Sequence, residues 1–214
     1  MRRFGPIAAA AACVVMAACS PSNKEGAPAS AKNEHAPDVF QVDFDTSKGK
    51  VVVEVHRDWA PNGVDHFYTL VKTGFYDGSR FYRTIRNFVA QFGIAADPKT
   101  NALWQSASIP DDPVKEHNTP GTLTYAATGM PNSRTTQLFF NLKDNSESLD
   151  SRGFAPIGKV ITGLDVVESF YTGYGQTKAE GGEGPDPAKI EAQGNAYLES
   201  QFPRLDFVKK ASIQ

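Results

Sequence analysis

Apolar and polar positions alternate in two successive runs ahead of residue 60. Phe40, Val42 and Phe44 alternate with Gln41, Asp43 and Asp45; Val51, Val53 and Val55 follow, with Glu54 and His56 on the other face. A period of two belongs to a half-buried strand. Ser47-Lys48-Gly49 separates the runs as a turn, so the pair predicts a hairpin. The period then changes. Val64, Phe67, Leu70 and Val71 recur at helical spacing after Asp58–Gly63, and Gly74 supplies a stop. Phe81–Phe92 is β-rich and reads as two strands, and Gly121–Ala127, Thr136–Leu142 and Phe154–Val160 read as three more. Asp97–Pro120 carries many Asn, Asp and Pro residues and is predicted to be mostly loop, anchored by Trp104 and Ile109. Leu164–Tyr171, opened by Thr162-Gly163, reads as a short amphipathic helix.

Gly173–Pro187 is glycine-rich and predicted to be a loop. Asp186-Pro187 has the form of a helix start, with proline at the first helical position. Ile190, Gln193, Tyr197 and Leu198 would make one apolar face, limited by Pro203. Leu205–Ile213 alternates enough for a closing strand that pairs with the first. Short strands with turns between them predict an all-β barrel or sandwich, its ends capped by two short helices.

A length of 214 residues fits one domain with appendages. The appendage is at the start. Arg2 and Arg3 precede a short apolar run, Ile7–Met16, well below the roughly 20 residues a transmembrane helix needs. Residues 1–18 read as a secretory signal. Met16-Ala17-Ala18-Cys19 resembles a bacterial lipobox, which implies cleavage before Cys19 and lipidation of its thiol; the alternative is an ordinary cleavage site after small residues. Ser20–Asp38 lacks aromatics and reads as a tether, so residues 19–38 would link an anchor to a domain spanning 39–214. Removing Arg2 and Arg3 takes the formal charge from −2 to −4. That balance gives no reason to expect nucleic acid. Cys13 lies in the signal and Cys19 would carry lipid, so the domain needs no disulfide in an oxidising envelope. His35, His56, His66 and His117 have no metal-ligand spacing, and neither metal nor cofactor is expected.

The chemistry concentrates in residues 81–93. Arg83 sits among Phe81, Phe88 and Val89, with Gln91 eight positions on. Arginine holds its charge and presents a planar fork of donors. Beside large apolar residues it implies a fixed cation at the edge of a greasy pocket, suited to a neutral ligand with one acceptor. The plainer alternative is a surface arginine whose stem covers apolar neighbours.

Four pieces in order settle the preference: Phe75-Tyr76-Asp77-Gly78; Phe81-x-Arg83-x-Ile85-x-x-Phe88-x-x-Gln91-x-Gly93; Gly121–Ala126 with Asn132–Leu142, including Gln137-Leu138-Phe139-Phe140; and Leu149-Asp150 with Ile157-Gly158-Lys159-Val160. Together they resemble the cyclophilin family of peptidyl-prolyl isomerases from about Val39 to Tyr171. The resemblance implies a closed eight-stranded antiparallel barrel with two capping helices, to which residues 173–203 are an insertion. It implies that Arg83 is the catalytic arginine and that Phe88, Val89, Phe139 and Leu149 line a proline pocket, with Phe154 at a position that often lines it as histidine. Gln91 and Gln137 would hold the arginine and the substrate backbone, and Ala126 and Ala127 would lie in the strand that pairs with the peptide. Partners would be proline-containing unfolded or folding polypeptides, met by a monomer facing the periplasm from a lipid anchor on the outer membrane.

The family pattern is not followed everywhere. Val89 stands where methionine is common, Leu138 replaces phenylalanine, Phe92 replaces glycine and Arg86-Asn87 replaces a Pro-Gly turn. Ser148 falls where many members carry a tryptophan that contacts cyclosporin, so strong cyclosporin binding is not expected. These departures leave open a proline-binding holdase with little isomerase activity, and more remotely a structural lipoprotein. The anchor is tested by fractionation: Cys19→Ala is expected to leave the membrane, and a variant that stays membrane-bound contradicts it.

Overall fold

The computed structural model describes residue 1 and residues 33–214. The signal, Cys19 and most of the tether therefore lie outside the described residues. Residues 33–38, expected in the tether, pack against the first helix. Ala36 is buried, its N–H donates to Asp65 Oδ1 at 3.0 Å, and Glu34 N–H donates to Thr69 Oγ1 at 3.0 Å.

The predicted hairpin is present as β1 (Val39–Thr46) and β2 (Lys50–His56), paired in register Phe40–Val55, Val42–Val53 and Phe44–Val51. These alternating side chains point into one core. Helix α1 (Pro61–Lys72) adds Val64, Phe67, Leu70 and Val71 to it, the face that the spacing predicted. Then come β3 (Arg83–Ile85), β4 (Val89–Phe92), β5 (Thr122–Tyr125), β6 (Leu138–Asn141), β7 (Pro156–Thr162) and β8 (Val208–Ile213). All pairings are antiparallel and the sheet order is β3-β4-β6-β5-β7-β2-β1-β8.

The last strand pairs with the first, as expected, but the barrel is not closed. β3 and β8 are the two edges of a curled, open half-barrel. The chain ahead of β3 meets the start of β8 and the residues before it across the gap: Gly78 N–H donates to the Val208 carbonyl, and Phe81 N–H to that of Asp206 at 2.9 Å. A turn at Tyr82, whose N–H bonds back to the Arg80 carbonyl, ends that contact before β3 begins. A ladder cannot continue through a turn, so one isolated bridge, Arg80–Phe207, stands where closure was expected.

More helix is present than two caps. α2 (Pro98–Trp104) lies in the predicted loop; Asp97 caps it by accepting from Lys99 N–H at 2.9 Å, and Pro98 takes its first turn. Trp104 and Ile109 are buried anchors, as predicted. α3 (Ser146–Leu149) is a single turn, and α4 (Leu164–Glu168) packs near β2. The predicted late helix is two, α5 (Pro187–Gln193) and α6 (Asn195–Gln201), with Asp186 capping the first. Gly194 divides them at φ +60°, and a Cβ there would lie 2.2 Å from the Ala96 carbonyl oxygen. The break turns Gln193 out to solvent instead of onto the apolar face. Ile190, Tyr197 and Leu198 are buried with Tyr82, Ile94, Phe202 and Leu205 in a second apolar cluster, so the insertion packs against residues that flank β3 and β4. Among the described residues, no helix is long and apolar enough to cross a membrane.

One buried group gives the fold a pH dependence. His66 lies on α1 in the core, against Trp104, with Nδ1 2.9 Å from Asn33 Oδ1. Burial, seconded by the nearby charge of Arg134, lowers its pKa to about 4. The unfolded chain therefore binds a proton near pH 6.5 that the folded one refuses until about pH 4. Stability is expected to fall by about 2–3 kcal/mol through this group between pH 7 and 4.5. Denaturant titrations at several pH values should show that this component disappears in His66→Phe.

Candidate active site

Strand register assembles the site. β3 and β4 form a hairpin in which Arg83 faces Gln91 and Ile85 faces Val89; β6 lies alongside with Phe139 opposite Gln91. Arg83, Gln91 and Phe139 thus form one row across three strands. The intervening residues, Ala90, Phe92 and Phe140, point the other way into the core. Of the pair Phe139-Phe140, one ring faces each side, as alternation requires. The hairpin turn places Asn87 at φ +55°, the left-handed region that asparagine tolerates.

Phe92, where the family pattern has glycine, is absorbed in the core. Its ring stacks on Phe140 at 5.6 Å and lies 5.0 Å from Phe81. The next residue, Gly93, takes φ +100°, and a Cβ there would lie only 2.5 Å from the Thr136 carbonyl oxygen, so the close approach of the two segments requires glycine.

The row opens onto a cavity of about 170 Å³ lined by Arg83, Phe88, Val89, Gln91, Ala126, Ala127, Phe139, Leu149, Arg152, Phe154 and Glu180. Its floor is an apolar cluster of Val89, Phe139 and Leu149, joined by Phe88, Ala126 and Phe154. Phe139 and Phe154 meet edge to face at 5.9 Å. Nine of the ten sequence-predicted site residues in the domain line this cavity. Gln137 lines the adjoining groove instead, with Gln91, Ala126 and Ala127. β5 ends at Tyr125, so Ala126 and Ala127 follow the strand rather than lie in it, and Ala126 N–H is already donated to the Gln137 carbonyl at 2.9 Å.

Arg83 is held on several sides. Nη1 donates to Gln91 Oε1 at 3.0 Å, and the guanidinium lies 5.5 Å from the centre of the Phe88 ring. Gln91 is fixed in turn: its Nε2 donates to Tyr82 Oη at 2.7 Å, and that hydroxyl donates to Gln137 Oε1 at 2.5 Å. Burial pushes the Tyr82 pKa far up, despite the opposing pull of Arg83, and keeps the hydroxyl a donor. On the remaining edge, Nε donates to Gln176 Oε1 and pairs with Glu180 Oε2 at 2.8 Å.

A buried amide network supports the apolar wall. Asn118 Nδ2 donates to Asp150 Oδ1 at 2.7 Å and to the Phe154 carbonyl at 2.8 Å, while Asn145 Nδ2 donates to the Phe88 carbonyl at 3.0 Å. Partial burial raises the Asp150 pKa, but the bonds from Asn118 and His117 outweigh it and hold the carboxyl below its ordinary range. Tyr82, Asn118, Arg152, Gln176 and Glu180 are the site residues that sequence reasoning missed. Tyr82 lies inside the motif and was within reach; a loop glutamate 97 positions from Arg83 carries no local signal.

The chain has many relatives. A family model described as cyclophilin type peptidyl-prolyl cis-trans isomerase/CLD matches residues 41–192. A peptidyl-prolyl cis-trans isomerase of Acinetobacter baylyi is 36% identical over 142 residues, covering 64% of this chain and 74% of the relative. Peptidyl-prolyl cis-trans isomerase B of Escherichia coli is 34% identical over 141 residues, covering 60% and 82%. Among solved structures, a cyclophilin from Hirschia baltica superposes with a TM-score of 0.56 at 23% identity, covering 83% of this chain and 74% of that one. A cyclophilin type isomerase from Cryptosporidium parvum, determined in the presence of the dipeptide Ala-Pro, gives 0.56 at 20%, covering 81% and 98%. At those identities the structural likeness establishes the fold. The matched span contains every cavity residue from Arg83 to Glu180, and on it this chain belongs to the cyclophilin-type peptidyl-prolyl cis-trans isomerase family.

Proposed function

We propose that this isomerase acts on X–Pro bonds of secreted and envelope polypeptides, with Arg83 as the catalytic donor. The observation that carries this is a guanidinium pinned by Gln91 and Phe88 at the rim of a pocket floored by Val89, Phe139 and Leu149. A pyrrolidine ring fits such an apolar floor, and the Cryptosporidium parvum structure was determined in the presence of a dipeptide, Ala-Pro, that carries such a ring.

Amide resonance sets a barrier of about 18–20 kcal/mol to rotation. Halfway through the turn the nitrogen regains its lone pair and pyramidalises. A donor aimed at that nitrogen favours the twisted amide over the planar one, which is the differential binding a catalyst needs. A cation already in place incurs little reorganisation when the pair appears. The twisted amide is also less dipolar, so an apolar pocket disfavours it less than water does. Lowering the barrier by about 5–7 kcal/mol would give four to five decades of acceleration. Proton transfer and covalent intermediates have no part in the step.

In this reading Phe88, Val89, Phe139, Leu149 and Phe154 grip the proline ring. Gln91 orients Arg83, and Gln137 with the backbone of Ala126 and Ala127 meets the peptide. Residues 1–18 direct export, lipid on Cys19 holds the protein to the outer membrane, and the monomeric domain faces the periplasm at the end of its tether. Exposed Ser148, where cyclosporin-binding members carry tryptophan, supports weak binding of that drug.

The test is exchange between cis and trans Ala–Pro peptides followed by NMR. Arg83→Ala is expected to lower the catalysed rate by roughly two to three decades, as for a lost oxyanion-type donor, with peptide affinity little changed. An unchanged rate overturns the role of Arg83; binding without added exchange in the unmodified protein favours a holdase.

A further inference from the structure

The insertion does more than cover the sheet. Residues 176–184 close on themselves: Gly182 N–H donates to the Thr177 carbonyl at 2.9 Å, Gly184 N–H donates to that of Gln176 at 2.8 Å, and a short 3₁₀ turn spans Lys178–Glu180. Thr177 is buried at the base. This compact loop delivers two oxygens to one atom: Gln176 Oε1 and Glu180 Oε2 both meet Arg83 Nε. The ion pair is 2.8 Å long, and Glu180 stands on the cavity wall.

Stability does not account for that contact. The Glu180 side chain is 49% exposed, and ion pairs with a partner so open to water contribute little to folding. The chain packs through a separate apolar cluster around Ile190, Tyr197 and Leu198. Its effect on the guanidinium is specific. Gln91 occupies Nη1 and the loop occupies Nε, so two corners of the fork are fixed. Nη2 has no acceptor among the described residues and is not sealed from solvent. Fixing a planar group at two corners fixes the direction of the third.

We propose that Glu180, together with Gln176, is a positioning residue of the isomerase: Gln176 takes the single Nε–H hydrogen bond of Arg83 and Glu180 holds the same edge by charge, so that Nη2 is the donor presented to the substrate imide. The insertion is thereby part of the active site. The inference rests on the role of Arg83 argued above. Misplacing a catalytic group by about 1 Å can cost on the order of a hundredfold. Releasing one of two clamps should therefore lower turnover while leaving the apolar grip on proline intact.

The experiment measures catalysed exchange and peptide affinity separately by NMR, on the same Ala–Pro peptide, for Glu180→Ala, Glu180→Gln, Arg83→Ala and the double variant Arg83→Ala/Glu180→Ala. Glu180→Ala is expected to slow exchange roughly tenfold or more with affinity within about twofold. Because the contact with Nε is ionic, Glu180→Gln, which keeps the size and loses the charge, should slow exchange nearly as much, a loss that a merely packing role would not predict. In the Arg83→Ala background, removing Glu180 should change nothing further. Unchanged exchange in Glu180→Ala overturns the proposal, as does faster exchange, which would make the loop an inhibitory cover. Loss of affinity equal to the loss of rate also overturns it. If Arg83→Ala keeps the full rate, the failure lies with the role of Arg83 itself.

Discussion

A permanent positive charge held still at the edge of an apolar pocket is the constraint on which this structure depends. A free arginine has many rotamers, and in water its charge is spent on solvent. Here one face of the guanidinium lies near Phe88, one corner is bonded to Gln91, and another meets Gln176 and Glu180. The neutral amide of Gln91 orients the cation without cancelling it. The catalytic reading needs that combination of fixed direction and retained charge.

The fold supplies the rigidity through two separate cores. Alternation sends Phe92 and Phe140 into the aromatic interior of the half-barrel, and in the same strands sends Gln91 and Phe139 to the pocket. The row of Arg83, Gln91 and Phe139 therefore stands on a packed sheet. The second core, between the insertion and the edge of the sheet, holds the ring of Tyr82 while its hydroxyl joins Gln91 and Gln137. One buried tyrosine thus couples the packing of the insertion to the amide network behind Arg83. The open edge of the sheet has a place in this arrangement: β3 is short and ends the ladder, and the insertion covers the ground next to it.

Much of this could be read from the chain because it follows from local periods. The period-two runs gave β1 and β2, the helical spacing gave the buried face of α1, and the 81–93 motif brought Arg83 and Gln91 together, while their cross-strand register came only with the structure. Closure of the barrel is not legible in the sequence because it depends on whether a ladder survives the turn at Tyr82, a long-range matter that no local pattern encodes. The helix at Pro98–Trp104 was hidden by its Asn- and Asp-rich surroundings, although Asp97-Pro98 bears the same start signature as Asp186-Pro187. Gly194 marked the break between the last two helices; its need became visible only with the Ala96 carbonyl beside it. Glu180 illustrates the harder case. Nothing in a glycine-rich stretch says which distant cation its carboxylate will meet.

The most direct test of the held cation is the side-chain NMR of Arg83 itself, with its Nε and Nη nitrogens observed in the protein alone and during titration with an Ala–Pro peptide. The account predicts a resolved, slowly exchanging Nε–H, hindered rotation about the Nε–Cζ bond, and shifts of the Nη signals as the peptide binds. A guanidinium that rotates freely and does not respond to the peptide would contradict it.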